Sequence, residues 1–329
     1  MKVLKSLLVL FLPFVFIISI PTRADICFFG YQANSVSAIN EIYDDYGLTP
    51  NVGVVYGKDF KVFRQKAEAL NEHGAKAIIV IGDLIFEKVQ TSLLDCSDYQ
   101  NVIRSEDEIG LRLYNDWKQR LSTFLISEKD YLNSGNVMML GVADEVNNVC
   151  VPTSDIDAVA KFIKSLGVNI PIGVVYDLSV LGENILSARP LPESFPENID
   201  VIAVFEYGIF DPNDPENLLN ASKDWAQRWN NFKSKLGSRK VVFVLNAFCN
   251  RIHRGLGWVQ NCTPEYVKPL TISSYRWRDW ALSQPEVIGI LGFNWISWNY
   301  PLWVGTRDMH KVVQNSHQNI INAINCDYE

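Results

Sequence analysis

Eight short runs dominated by Val, Ile, Leu and Phe recur along the chain, at residues 26–31, 52–56, 77–82, 137–143, 170–176, 200–207, 240–246 and 287–295. Each is nearly continuous in apolar residues, the pattern of a strand covered on both faces in a parallel sheet. Stretches of helical period lie between and after them, at 59–73, 105–126, 155–166, 218–236, 273–283 and 308–324. The first of these stops before Gly74, a residue suited to end a helix, and the second begins Ser105-Glu106-Asp107-Glu108, a capping side chain followed by acidic residues. Strand–helix alternation carried through eight strands predicts an α/β fold, a (β/α)8 barrel (TIM barrel) filling residues 25–329 as one domain. An open doubly wound sheet would show fewer strands and a Gly-rich first turn, and none is present. The longest interruption, residues 83–104, follows the third strand and is expected to form a lid or wall beside the active face.

The first 24 residues read as an address. Lys2 and Lys5 precede an apolar stretch over 7–20, and Thr22-Arg23-Ala24 places small residues at −3 and −1 of a cleavage point after Ala24. The stretch falls short of the roughly 20 residues that span a bilayer, and no later segment is apolar enough to do so. A secreted or periplasmic protein is therefore expected, with no stable membrane insertion once the signal is cleaved. An oxidising destination permits disulfides. Cys249 and Cys262 flank a short polar loop and are the first expected pair; Cys96 and Cys150 are the second; Cys27, inside an apolar run, reads as a buried thiol.

Charge narrows the chemistry. Formal charge is −7, and removal of Lys2, Lys5 and Arg23 leaves 27 basic against 37 acidic residues. That balance argues against a nucleic-acid partner, which needs clustered Lys and Arg. The four histidines (His73, His253, His310, His317) show no metal-ligand spacing, so no metal or other cofactor is expected. No GxxxxGK, GxGxxG or GxSxG is present.

Barrel enzymes carry their chemistry at the C-terminal ends of strands. Those ends supply Tyr31 and Gln32, Tyr56, Asp83 and Glu87, Asp144 with Glu145 and Asn147, Tyr176 and Asp177, Glu206 and Tyr207, and Asn246, with Trp295, Trp298 and Tyr300 after the last strand. Carboxylates, amides and aromatics at one mouth suit a sugar, whose hydroxyls take hydrogen bonds and whose CH faces stack on rings. Tyr31, Tyr176, Tyr207, Asn246, Trp295 and Trp298 are the expected substrate-binding set. Trp225, Trp229, Trp277 and Trp280, at helical spacing, are expected in the core.

The sharpest motif is Gly141-Val142-Ala143-Asp144-Glu145-Val146-Asn147, at the end of the fourth strand. Asp144-Glu145-Val146 resembles the Gly-Gly-Asp-Glu-Val of β-hexosaminidases, although Val142-Ala143 departs from it, and Ala143-Asp144-Glu145 is similar to the Ala-Asp-Glu-Pro of other barrel glycosidases. The resemblance covers this motif and the strand–helix pattern alone. It implies a glycoside hydrolase with Glu145 as general acid and Asp144 orienting a substrate N-acetyl group, should there be one. Enzymes of the large retaining group carry a nucleophilic Glu after strand seven, where this chain has Asn246-Ala247-Phe248; Glu206 on strand six is the nearest replacement, with Asp83, Glu87 and Asp177 behind it. The expected function is an exported monomeric hydrolase of a polysaccharide or aminosugar glycan; the alternative is a non-catalytic barrel that binds carbohydrate through its aromatics.

Overall fold

Each of the eight apolar runs forms a strand of one closed, all-parallel barrel: β1 (Phe28–Gln32), β2 (Val52–Tyr56), β3 (Lys76–Val80), β6 (Val137–Gly141), β7 (Ile172–Asp177), β8 (Val201–Glu206), β9 (Lys240–Asn246) and β11 (Val287–Phe293). The chain order is also the order around the barrel, and β11 closes it by pairing with β1, Phe28 opposite Gly289. The computed structural model describes residues 27–33, 35–99, 109–178, 191–206, 225–246, 248–250, 264–293, 295, 303–309 and 311–324, with backbone alone at 91, 206, 226, 246, 248–250, 264–269, 293 and 303–304. The leader 1–24 and the Cys249–Cys262 pairing lie outside the described residues and side chains.

Alternation along each strand sorts the side chains into two cores. One set, including Phe28, Val54, Val80, Met139, Ala203, Phe205, Val244 and Leu291, fills the barrel interior and consists of strand residues only. The other, including Phe29, Tyr31, Val55, Ile79, Leu140, Tyr176, Ile202, Phe243 and Ile290, points outward and packs against the helices. These are α1 (Val36–Asn40), α2 (Phe60–Glu72), α4 (Trp117–Leu132), α5 (Thr153–Ser165), α6 (Trp225–Leu236), α7 (Pro264–Leu282) and α8 (Lys311–Ala323). Two buried faces explain why the strands read as continuous apolar runs.

Local signals set the helix ends. Asp59 caps α2 by accepting from the Val62 N–H at 2.9 Å, and Gly74 takes φ +77° just past its end. The four tryptophans of α6 and α7 pack as expected: Trp229 lies 4.8 Å from Trp280 and Trp225 5.2 Å from Trp277 between ring centroids, over Phe243. Such edge-to-face pairs add about 0.5–1.5 kcal/mol each beyond area burial. Among the described residues, no helix is long and apolar enough to cross a membrane.

Between β3 and β6 the chain departs from strand–helix alternation. A single helical turn, α3 (Gly82–Ile85), leads into an antiparallel hairpin of β4 (Phe86–Gln90) and β5 (Ile109–Leu113). The helix expected over 105–126 is corrected here: α4 begins only at Trp117. Ile109-Gly110-Leu111-Arg112-Leu113 instead pairs with β4, and Arg112 bonds Glu87 across the hairpin at 2.8 Å. The short β10 (Phe248–Asn250) and β12 (Trp303–Gly305) form a second antiparallel pair. Cys96–Cys150 is a disulfide, as expected. Cys27 is disulfide-bonded and not a thiol, its partner's side chain lying outside the described set.

Candidate active site

After β6 the chain continues along β7 before turning into α5. Val142 donates to Gly173 O at 2.8 Å, Val175 to Ala143 O at 3.2 Å and Val146 to Val175 O at 3.1 Å. The Asn147 side chain then takes over the ladder. Its Nδ2 donates to Asp177 O at 2.8 Å, and its Oδ1 accepts from Asp177 N at 2.9 Å. Glu145 turns the chain at φ +45°, a left-handed conformation that costs a non-glycine residue about 1–2 kcal/mol, and its carbonyl accepts the Asn148 N–H at 2.7 Å. Persistence of that strain requires support from the surroundings.

The support comes from the insertion. Cys150, also left-handed at φ +53°, is tied to Cys96. Tyr99 donates its hydroxyl to Val151 O at 2.7 Å, Asp98 accepts the Thr153 N–H at 2.6 Å, and Leu111 N donates to Val149 O at 2.8 Å. The stretch expected to form a lid or wall therefore braces the loop that carries Asp144 and Glu145.

Asp144 lines a cavity on the barrel axis with about 510 Å³ of empty volume, counting the space open to solvent. Its walls are apolar, among them Val54, Val80, Met139 and Phe205; Gln32, Tyr56 and Asp144 are the polar side chains that reach it. Oδ2 of Asp144 accepts the Tyr56 hydroxyl at 3.1 Å, while Oδ1 is buried with no hydrogen-bond partner among the described residues. Burial pushes the Asp144 carboxyl up to about 6, and the negative charge of Asp177 adds to this. The Tyr56 hydroxyl and the Glu145 backbone N–H act in the opposite direction. Burial also raises the Tyr56 phenol well above its ordinary value, reinforced by the charges of Asp144, Glu145 and Asp83, which places all three carboxylates around one hydroxyl. Lys66, on α2, donates to the Tyr56 carbonyl at 2.6 Å, and burial lowers its ammonium.

Beside this group, the Asn148 amide joins two further carboxylates. Nδ2 donates to Glu145 Oε2 at 2.7 Å and to Asp177 Oδ2 at 2.8 Å. Asp177 is 5% exposed. Among the described residues no group of His, Cys, Asp and Glu side chains is arranged to hold a metal ion.

Three of the expected sugar-binding aromatics lie elsewhere. Tyr31, Tyr176 and Trp295 are at most 1% exposed and belong to the outward-facing core, so they form no platform at the mouth. Strand parity is the reason: Tyr31 shares the outward parity of Phe29, and Tyr176 that of Val174. Tyr31 donates to His317 Nδ1 at 2.6 Å and packs on Trp295 at 5.2 Å; Tyr176 packs on Phe195 at 5.0 Å. Glu206 ends β8 opposite Leu245, and Asn246 ends β9 opposite Phe293, with both side chains outside the described set. Tyr207, Trp298 and Tyr300 lie outside the described residues. Asp83 is exposed on α3, and Glu87 is occupied on the hairpin by Arg112. The residue that sequence reading passed over is Asn148; its only signal was adjacency to the Asp-Glu motif.

No family model matches this sequence, and no curated protein matches it. Among solved structures, β-glucuronidase from Ruminococcus gnavus in complex with D-glucaro 1,5-lactone superimposes with a TM-score of 0.53 at 11% identity, over 90% of this chain and 50% of that one. The same enzyme with a C6-substituted uronic isofagomine gives 0.53 at 10% identity and the same coverage. An endo-β-1,3-glucanase from Amycolatopsis mediterranei in complex with laminarihexaose gives 0.44 at 12% identity, over 91% of this chain and 99% of that one. This chain spans half the length of the β-glucuronidases it superimposes on. At such identities the shared property is the fold, and the fold is the (β/α)8 barrel.

Proposed function

We propose that this protein is an exported glycoside hydrolase, a 25–329 barrel released from a 1–24 leader, that cleaves a polysaccharide or aminosugar-containing glycan at the mouth where β6 and β7 end. One observation carries the reading: past the C-terminal end of the fourth barrel strand, a desolvated aspartic acid faces a cavity with one oxygen lacking a partner among the described residues, next to a second carboxylate. A buried carboxyl raised to about 6 is half protonated at that pH and still protonated in a fraction of molecules at neutrality, the form that protonates a leaving oxygen. The sequence motif pointed to Glu145 for that role; Asp144 is the neighbouring carboxyl that burial raises. Asp144 is therefore the proposed proton donor. Glu145, whose Oε2 accepts the Asn148 amide, is the proposed carboxylate that steadies the positive charge developing on the sugar as the C–O bond breaks. Export agrees with the Cys96–Cys150 disulfide. The burial of Tyr31, Tyr176 and Trp295 favours a hydrolase over a purely aromatic carbohydrate binder.

The test is hydrolysis of a panel of aryl glycosides and polysaccharides by wild type, Asp144→Asn and Glu145→Gln, with melting temperatures alongside. Loss of general-acid catalysis is expected to cost Asp144→Asn about 10²–10⁴-fold in turnover. The deficit should shrink on dinitrophenyl glycosides, whose leaving group needs no proton. Wild type that cleaves nothing, or an Asp144→Asn enzyme of undiminished activity, would overturn the assignment.

A further inference from the structure

We infer that Asn148 is a positioning residue of this site: by bridging Glu145 and Asp177 it fixes both as hydrogen-bond acceptors and leaves the proton of the cluster on Asp144. The inference rests on the reading of Asp144 as proton donor and explains what holds that proton in place. An amide nitrogen only donates. With 2.7 and 2.8 Å to the two carboxylates, both Nδ2 hydrogens are committed, one to each. Glu145 Oε2 and Asp177 Oδ2 are therefore acceptors, and neither of those two oxygens directs a proton toward the amide.

The bridge is itself held from two sides. The Asn148 N–H is bound to the Glu145 carbonyl, and Asn147 locks the loop to the backbone of Asp177. Asp177 cannot drift away while the ladder stands. Its negative charge bears directly on Asp144, whose remaining neighbours are Tyr56 from β2 and the N–H of Glu145; Asp83 of α3 and Lys66 of α2 act one step further out, on Tyr56. Among the described residues nothing donates to Asp144 Oδ1, so protonation of Asp144 removes a buried charge that lacks that hydrogen bond. The three carboxylates thus divide the work by hydrogen-bond supply.

Carboxyl ¹³C NMR titration of Asp144 in the full mature chain tests this without requiring a substrate. Wild type, Asn148→Leu and Asp177→Asn are compared. Asp177→Asn keeps the backbone that pairs with Asn147 and keeps an oxygen for the Asn148 amide, so the fold is retained while the charge is lost. In both variants the Asp144 midpoint is expected to fall from about 6 by about one pH unit or more. The basic limb of kcat should move down by the same amount with KM little changed, a pattern that loosened packing would not produce. An Asp144 midpoint unmoved in Asn148→Leu overturns the inference, whatever the activity. A shifted midpoint in a protein that hydrolyses no glycoside upholds the bridge and removes the glycosidase reading instead.

Discussion

Tyr56 and Asp144 meet across the barrel mouth, hydroxyl to Oδ2 at 3.1 Å, from positions 88 residues apart and from strands that β3 separates. The phenol donates to a carboxylate oxygen, so it favours the charged form of Asp144 and opposes the desolvation around it. Tyr56→Phe removes that restraint. The Asp144 midpoint is expected to rise above about 6, and the basic limb of the pH–rate profile with it. A fall would show that the hydroxyl serves Asp144 in some other way.

Asp144 also has a cost for stability, with a definite sign. Its carboxyl titrates near 6 in the fold against 3.8 ordinarily. Between those values the native state binds more protons than the unfolded chain, so stability falls as pH rises through the window and stays lower above it. The upper bound of the cost is about 3 kcal/mol. Asp144→Asn should therefore raise the melting temperature at pH 7.5 and leave it nearly unchanged at pH 4. Calorimetry at the two pH values decides.

His317 slopes the other way. Fully buried between β1 and α7, it accepts the Tyr31 hydroxyl at Nδ1, and its Nε2 lies 3.4 Å from Ser274 Oγ, which spends its own proton on Leu270 O at 3.0 Å. That chain of donors assigns the neutral ring protonated at Nε2. Burial lowers its titration to about 3 from 6.5. Stability is consequently lost as pH falls from 6.5 toward 3, where only the unfolded state gains a proton. His317→Gln should flatten the dependence of melting temperature on pH over that interval, even with a lower melting temperature at pH 7.

Two barrel glycines make predictions of unequal size. A Cβ on Gly30 would sit 2.2 Å from the backbone oxygen of Val52, an atom the ladder holds in place. Gly30→Ala is expected to cost about 3 kcal/mol. A Cβ on Gly173 would meet the Met139 sulfur at 2.6 Å, the yielding part of a flexible side chain beside the axial cavity. Gly173→Ala should cost about 1 kcal/mol, with the displaced Met139 narrowing the cavity and raising KM. Denaturant melts of the two variants give the comparison.

The disulfide closes a separation of 54 residues. Chain-entropy arguments give about 4 kcal/mol for a loop of that length. Cys96→Ser with Cys150→Ser should lower stability by about that amount and reduce turnover. Equal activity in the disulfide-free protein would show that hydrogen bonds alone hold the site loop.

The barrel was legible because its strands need two apolar faces, and β2 and β9 begin and end where the runs 52–56 and 240–246 do. The same property hid the parity. With apolar residues on both faces, nothing in Phe28-Phe29-Gly30-Tyr31-Gln32 tells which alternate set turns inward. Tyr31 and Gln32 are both read at the strand end, but Tyr31 enters the expected sugar-binding set and Gln32 does not, the reverse of which side chain reaches the cavity. The β4–β5 hairpin was missed because Ile109–Leu113 flows into α4 with little punctuation, and its partner strand lies 19 residues upstream of Ile109, counted from Gln90. The Asp144-Glu145 motif was visible as a local string. Its electrostatics depend on Tyr56 and Asp177, which only the closed barrel brings to it.

The strain at Glu145 and Cys150 has a consequence for assembly. Parallel strand pairing does not itself require either left-handed residue, so the barrel has reason to form before the loop 144–151 settles. What settles it is the covalent tie to Cys96 and the contacts of residues 98–99. Order in the site loop therefore draws on an oxidation as well as on strand pairing. With both thiols reduced, the same barrel would lack the covalent tie that fixes Cys150 in its left-handed turn.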